Sequence, residues 1–156
     1  MGKNLQVEIL VDPPFRNLVD ERSLEKAALA ALEHEGVESA QATVVVTDDE
    51  RVRELNRIYR GVDEPTDVLS FQTSGGEDFI AAPEAEAYLG DVIIAYPFTA
   101  AQAREAGRPI EHDLLLMVVH GILHLLGYDH AEPEEKEVMW SKQDAILEEL
   151  VKGDEK

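Results

Sequence analysis

The stretch His120 to His130, HGILHLLGYDH, holds three of the chain's five histidines. His120 and His124 stand at i and i+4 within an apolar run. On a helix that spacing puts both imidazoles on one face, close enough to share an ion. Gly127 can end the helix and let the chain double back. His130 can then approach the same point from another direction. Neutral imidazole is a good zinc ligand, and three protein ligands with one open position make a catalytic rather than a structural site. The expected ligands are therefore His120, His124 and His130, around one zinc ion per chain. One histidine on an apolar helix is more simply a core residue satisfied by backbone. Three at this spacing, with a glycine at the turn, favour the metal. Imidazole also suits nickel, copper and iron, so the spacing leaves the choice of metal open. Asp129 reads equally as an extra ligand or a turn residue.

The frame His120-x-x-x-His124-x-x-Gly127-x-x-His130 matches that of the metzincin zinc proteases. Gly121 stands where those enzymes carry the glutamate that acts as general base of peptide hydrolysis. The metal site survives that change; the proteolytic machinery does not. Phosphodiester hydrolysis has other needs: an activated nucleophile, neutralised phosphate charge and help for the leaving oxygen. Zinc supplies the first by acidifying its water, with no separate glutamate. A glycine at 121 is expected to keep the space over the metal open for a bulky phosphate. Arginine suits phosphate neutralisation, because its planar fork pairs two oxygens. Arg53, Arg57 and Arg60 recur at i, i+4 and i+7, within roughly 60° around a helix axis. The plainer reading of Arg53 and Arg57 is a solvated face paired with acids, for example Arg53 with Asp49.

These groups need elements to hold them. LQVEILVD alternates and stops at Pro13 and Pro14, which predicts a strand. SLEKAALAALEHEG has helical spacing, with Ser23 as a possible N-cap and Gly36 as a stop. ATVVVTD is a β-branched strand, and Asp48 can cap a helix over 49–59. A loop leads to a short strand, Val68 to Phe71. TSGGEDFIAAPEAEAY reads as a mobile acidic loop. LGDVIIAY is a strand ended by Pro97, and FTAAQAREAGR a helix ended by Gly107. The histidine helix starts near Pro109 and runs to Gly127, and PEEKEVMWSKQDAILEELVK is a final helix. About four strands intermixed with five or so helices, and no separating linker, predict one domain over 1–156, an α+β or α/β sandwich. The metal site is expected at the C-terminal end of the central apolar helix.

The composition sets limits. Hydrophobic content of 44% suits a globular core. With no cysteine there is no disulfide framework and no thiolate metal site, which fits a cytoplasmic location. The N-terminus lacks the apolar core of a signal peptide. The net charge of −19, from 33 acidic and 14 basic residues, argues against nonspecific binding to nucleic acid. Any phosphate contact must then be local.

Taken together, HGILHLLGYDH, NRIYRGVDEPTDVLSF (Asn56 to Phe71) and LGDVIIA (Leu89 to Ala95) resemble the YbeY family, metal-dependent endoribonucleases of ribosomal RNA maturation. Order and separation agree, so the resemblance covers most of the chain. It implies a small mixed sheet packed with helices, zinc on His120, His124 and His130, and Arg60 as the key arginine stabilising phosphate charge. It implies single-stranded RNA as substrate, in particular precursor rRNA near the 3′ end of the small-subunit RNA. It also implies a link to ribosome quality control. The ribosome or a ribosome-associated protein is then the expected partner, with no membrane and no DNA. A zinc metallopeptidase and a noncatalytic ribosome-assembly factor with a structural metal are the alternatives. Thr66, Asp67 and Asp91 read as turn and strand-start chemistry, Met117 and Met139 as core, and His34 and His112 as structural.

Overall fold

The computed structural model describes residues 4–72, 87–128 and 132–154. The acidic segment at 73–86, Asp129 and His130 lie outside these residues. Four strands form one sheet in the order β1-β2-β4-β3. β1 (Asn4–Val11), β2 (Ser39–Thr47) and β4 (Ala87–Ala95) are parallel neighbours. β3 (Val68–Gln72) closes one edge antiparallel to β4, pairing Ser70 with Val92. The helices are α1 (Glu21–His34), α2 (Asp49–Arg60), α3 (Tyr96–Ala106), α4 (Ile110–Leu125) and α5 (Pro133–Asp154). The expected α+β domain is found, with a mixed sheet because β3 runs against its neighbour.

Alternation along the strands sorts the two faces. Val44 and Val46 of β2 and Val92 and Ile94 of β4 point into the main core. There they meet Leu24, Ala28 and Leu32 of α1, Val118 and Ile122 of α4, and Met139 and Ile146 of α5. On the other face a smaller cluster joins Val52 of α2 to Leu69, Ile93 and Ala95. The sequence placed these elements closely, with small shifts at the ends. Asp20, rather than Ser23, caps α1: its carboxylate accepts from the Arg22 amide at 3.1 Å. Ser23 instead donates its hydroxyl to Asp20 at 2.9 Å. Asp48 caps α2 as expected, accepting from the Arg51 amide at 2.8 Å. Pro97 sits in the first turn of α3, where its missing N–H costs nothing.

α4 is the central helix. Its residues Leu114, Val118, Val119, Ile122 and Leu123 are all buried. At Gly121 this helix packs tightly against the sheet. A Cβ there would stand 2.5 Å and 2.8 Å from the two γ-carbons of Val92. The glycine therefore faces β4, and the expectation that it opens space over a metal is not met. Gly121→Ala should destabilise the fold by up to about 2 kcal/mol. The overpacking cost, about 1–3 kcal/mol, is offset only in part by the roughly 1 kcal/mol that alanine gains in helix propensity, because both Val92 contacts fall well inside van der Waals distance. Urea unfolding would measure this. In a Val92→Ala background the same change should become neutral or stabilising; an equal penalty there would rule out the Val92 contact as its cause.

Candidate metal centre

The α4 helix carries His120 and His124 one turn apart, as the spacing required. Their rings lie near-parallel, 19° apart, with centroids separated by 6.3 Å. Both are half-buried. His120 Nδ1 donates to Gln143 Oε1 of α5 at 2.6 Å. His124 Nδ1 donates to the Tyr128 carbonyl at 2.8 Å. A ring whose Nδ1 carries the proton has its lone pair on Nε2. Both histidines are thus held in the tautomer that coordinates through Nε2, by the kind of outer partner that metal-bound histidines use. The donor set suits zinc or another borderline ion. Among the described residues no three histidine, aspartate or glutamate side chains form a group that could hold a metal ion. The third expected ligand, His130, lies outside them, as does Asp129.

The supports of the two rings come from different elements. Gln143 is 3% exposed and sits on the apolar stripe of α5, between Met139 and Ile146. A polar residue in that stripe is a sequence signal for a buried hydrogen bond, although not for its partner. Trp140 of α5 meets the His120 ring edge to face at 5.7 Å and 85°. After α4 the chain turns at Gly127, whose φ of 105° lies in the region that favours glycine. Tyr128 then returns toward α1. Its hydroxyl donates to Glu35 at 2.5 Å, and Lys142 of α5 donates to the same carboxylate at 3.2 Å. Burial pushes the Glu35 carboxyl up, but hydrogen bonds from Tyr128, His34 and Lys142 outweigh it and hold it below its ordinary value. This clamp fixes the turn whose carbonyl orients His124. No local sequence pattern announces it, because its members come from three separated segments.

Arg60 ends α2, just before Gly61. Its Nη2 donates across the sheet edge to the Ser70 carbonyl at 3.4 Å. The Ser70 hydroxyl donates in turn to the Gly121 carbonyl at 3.4 Å, next to His120 on α4. Gln72 ties the same edge to the end of α4, donating to the carbonyls of His124 and Leu125 at 3.3 and 3.2 Å. The structure thus brings Arg60 to the strand that lies against the histidine helix. Arg53 is engaged elsewhere. It forms a two-pronged pair with Asp63 at 2.8 and 3.3 Å, and this bond holds the Asp63 carboxyl below its usual range. Arg53 also approaches Glu50 at 3.8 Å. Asp49, suggested as its partner, instead accepts from the Phe98 amide at 3.0 Å.

The remaining candidates are structural. Asp67 accepts from the Val68 amide at 2.8 Å and from Thr66 at 3.2 Å, which is strand-start chemistry. Asp91 pairs with the Tyr88 hydroxyl on the sheet face away from α4. His112 lies in the first turn of α4, with Nδ1 3.2 Å from Asp113. Asp113 is gripped by Arg108 at 2.8 and 2.9 Å. That hydrogen bond outweighs burial and keeps the Asp113 carboxyl low.

The family model described as Endoribonuclease YbeY matches residues 15–151. The chain belongs to the YbeY family. A Dehalococcoides mccartyi relative named Endoribonuclease YbeY is 39% identical over 157 residues, covering 95% of each chain. One from Brevibacillus brevis with the same name is 46% identical over 162 residues, covering 94% of this chain and 97% of its own. The solution structure of TM1509 from Thermotoga maritima shares the fold with a TM-score of 0.63 and 30% identity. It covers 92% of this chain and 88% of that one.

Proposed function

We propose that the chain is a zinc-dependent endoribonuclease of single-stranded RNA, acting in small-subunit rRNA 3′ end maturation and in ribosome quality control in the cytoplasm. The observation that carries this is the pair of histidines whose Nδ1 atoms are both tied to oxygen acceptors, the tautomer in which Nε2 would be the atom offered to a metal. Membership of the YbeY family supports an RNA substrate. When bound, zinc supplies Lewis acidity toward a phosphoryl oxygen and an acidified water. The chain's residues do the rest. Gln143 and the Tyr128 carbonyl hold the rings in one orientation. Arg60 releases a long edge-strand hydrogen bond and turns its fork to the phosphate oxygens, where charge builds up in the transition state. The net charge of −19 leaves little general attraction for RNA, so the ribosome or a partner protein presents the substrate.

A peptidase reading fares worse. The position of its glutamate, Gly121, abuts Val92 and has no room for a side chain. The deciding assay pairs metal analysis of the purified protein with cleavage of single-stranded RNA and of casein, each with and without chelator. Zinc near one per chain, and RNA cleavage lost to chelator and restored by zinc, is the expected result. Casein hydrolysis without RNA cleavage would reverse the assignment. Bound metal with neither activity would favour a noncatalytic assembly factor.

A further inference from the structure

We propose that Trp140 and Lys136 on α5 form a nucleotide subsite beside the histidines, in which the indole stacks on a base flanking the scissile phosphate. This rests on the ribonuclease reading above and names a contact by which RNA is held. Trp140 is 38% exposed although it is large and apolar. The indole also touches His120, with centroids 5.7 Å apart. A base laid on it is therefore one ring away from the metal-binding face of α4. Lys136, one helical turn earlier, holds Nζ 5.4 Å from the indole centroid.

The charge around this ring explains why stacking is the contact to expect. Glu132, Glu134, Glu135 and Glu137 surround Lys136 at the start of α5, all exposed. Net electrostatics there opposes a polyanion, so a basic groove is not available. Stacking of a base on an aromatic ring does not depend on a positive surface and tolerates any base sequence. Lys136 rests on the indole through an exposed cation–π contact, which is weak. An arriving base can displace the ammonium. The flexible lysine stem then lets it pair with the adjacent phosphate.

Trp140 is the chain's single tryptophan, so its fluorescence reports on this place alone. The test uses full-length protein stripped of metal, so that no cleavage intervenes. The probes are a 2′-O-methyl oligoribonucleotide of mixed sequence and an abasic strand of the same length. The base-bearing strand should quench Trp140 saturably and the abasic strand should not. By anisotropy with labelled strand, Trp140→Ala should weaken binding about tenfold and Trp140→Phe less than threefold. The salt dependence of binding should be the same in wild type and Trp140→Ala, because the lost contact is uncharged. Thermal melts of the variants check that the exposed substitution leaves the fold intact. Equal quenching by both strands, or unchanged affinity in Trp140→Ala, would overturn the subsite. So would a variant that loses zinc affinity alone, since the indole would then only shield His120. RNA cleavage by wild type without quenching would discard the subsite and keep the ribonuclease reading. Quenching without cleavage under any metal would do the reverse.

Discussion

His124→Ala should leave the protein folded, strip it of stoichiometric metal and lower kcat/KM for RNA cleavage at least about a thousandfold, roughly 4 kcal/mol of transition-state stabilisation. His124 is half-buried in the last turn of α4, where truncation leaves no large core void. It loses its hydrogen bond to the Tyr128 carbonyl, and water can replace it there. Metal binding suffers far more, since coordination by fewer than three protein ligands is weak and poorly shaped. Gln143→Leu provides the contrast. It removes an acceptor from His120 without removing a ligand, so metal affinity should fall about 10- to 100-fold, while Gln143→Glu keeps the acceptor and should retain binding. Metal content by mass spectrometry, affinity by chelator competition and steady-state cleavage measure all three. Full zinc and full cleavage in His124→Ala would place the metal elsewhere.

Arg60→Ala should fold and hold zinc like wild type and yet lose cleavage by about 10²- to 10³-fold in kcat, the usual effect of removing one donor to developing charge. The structural cost is small, because its hydrogen bond to the Ser70 carbonyl is 3.4 Å long and the Arg60 side chain is itself exposed. The tether matters for reach. Through Ser70 it brings the guanidinium to within two hydrogen bonds of the Gly121 carbonyl on α4. Arg53 provides the internal control, as its fork is already closed on Asp63. Arg60→Lys should recover only part of the rate, since an ammonium cannot make the two-pronged phosphate contact. Unchanged cleavage by Arg60→Ala would remove this residue from the chemistry. A fall in KM-dependent binding with kcat intact would make it a docking residue.

Much of this molecule was legible before folding was considered, and the legible parts share one property: they depend on neighbours along the chain. His120 and His124 are four apart, so helical geometry alone put them on one face, and the structure keeps them there with rings 19° from parallel. Alternation in β1, the β-branched run of β2 and the cap at Asp48 are equally local. Even the shift of the α1 cap from Ser23 to Asp20 is a choice between two hydroxyl or carboxylate groups three residues apart. Composition alone removed thiolate sites and broad electrostatic RNA binding.

Tertiary packing decided what each local feature is for. Gly121 looked like a clearing above a metal, and the packed sheet makes it the contact point with Val92. Helical periodicity fixes which residues share a face, but not what that face meets. Arg53 and Arg60 share a helix and a side-chain type. One is closed on Asp63 and the other leans over β3, because only the second lies beside the edge strand. Gln143 was not singled out in the sequence. That it fixes the tautomer of His120 follows only from α5 docking against α4. The sequence by itself determined the ligands expected on α4 and the elements that carry them, since local stereochemistry suffices for both. The outer partners that orient those ligands, and the arginine brought toward them, come from segments far apart in the chain, and only burial of a common core sets them side by side.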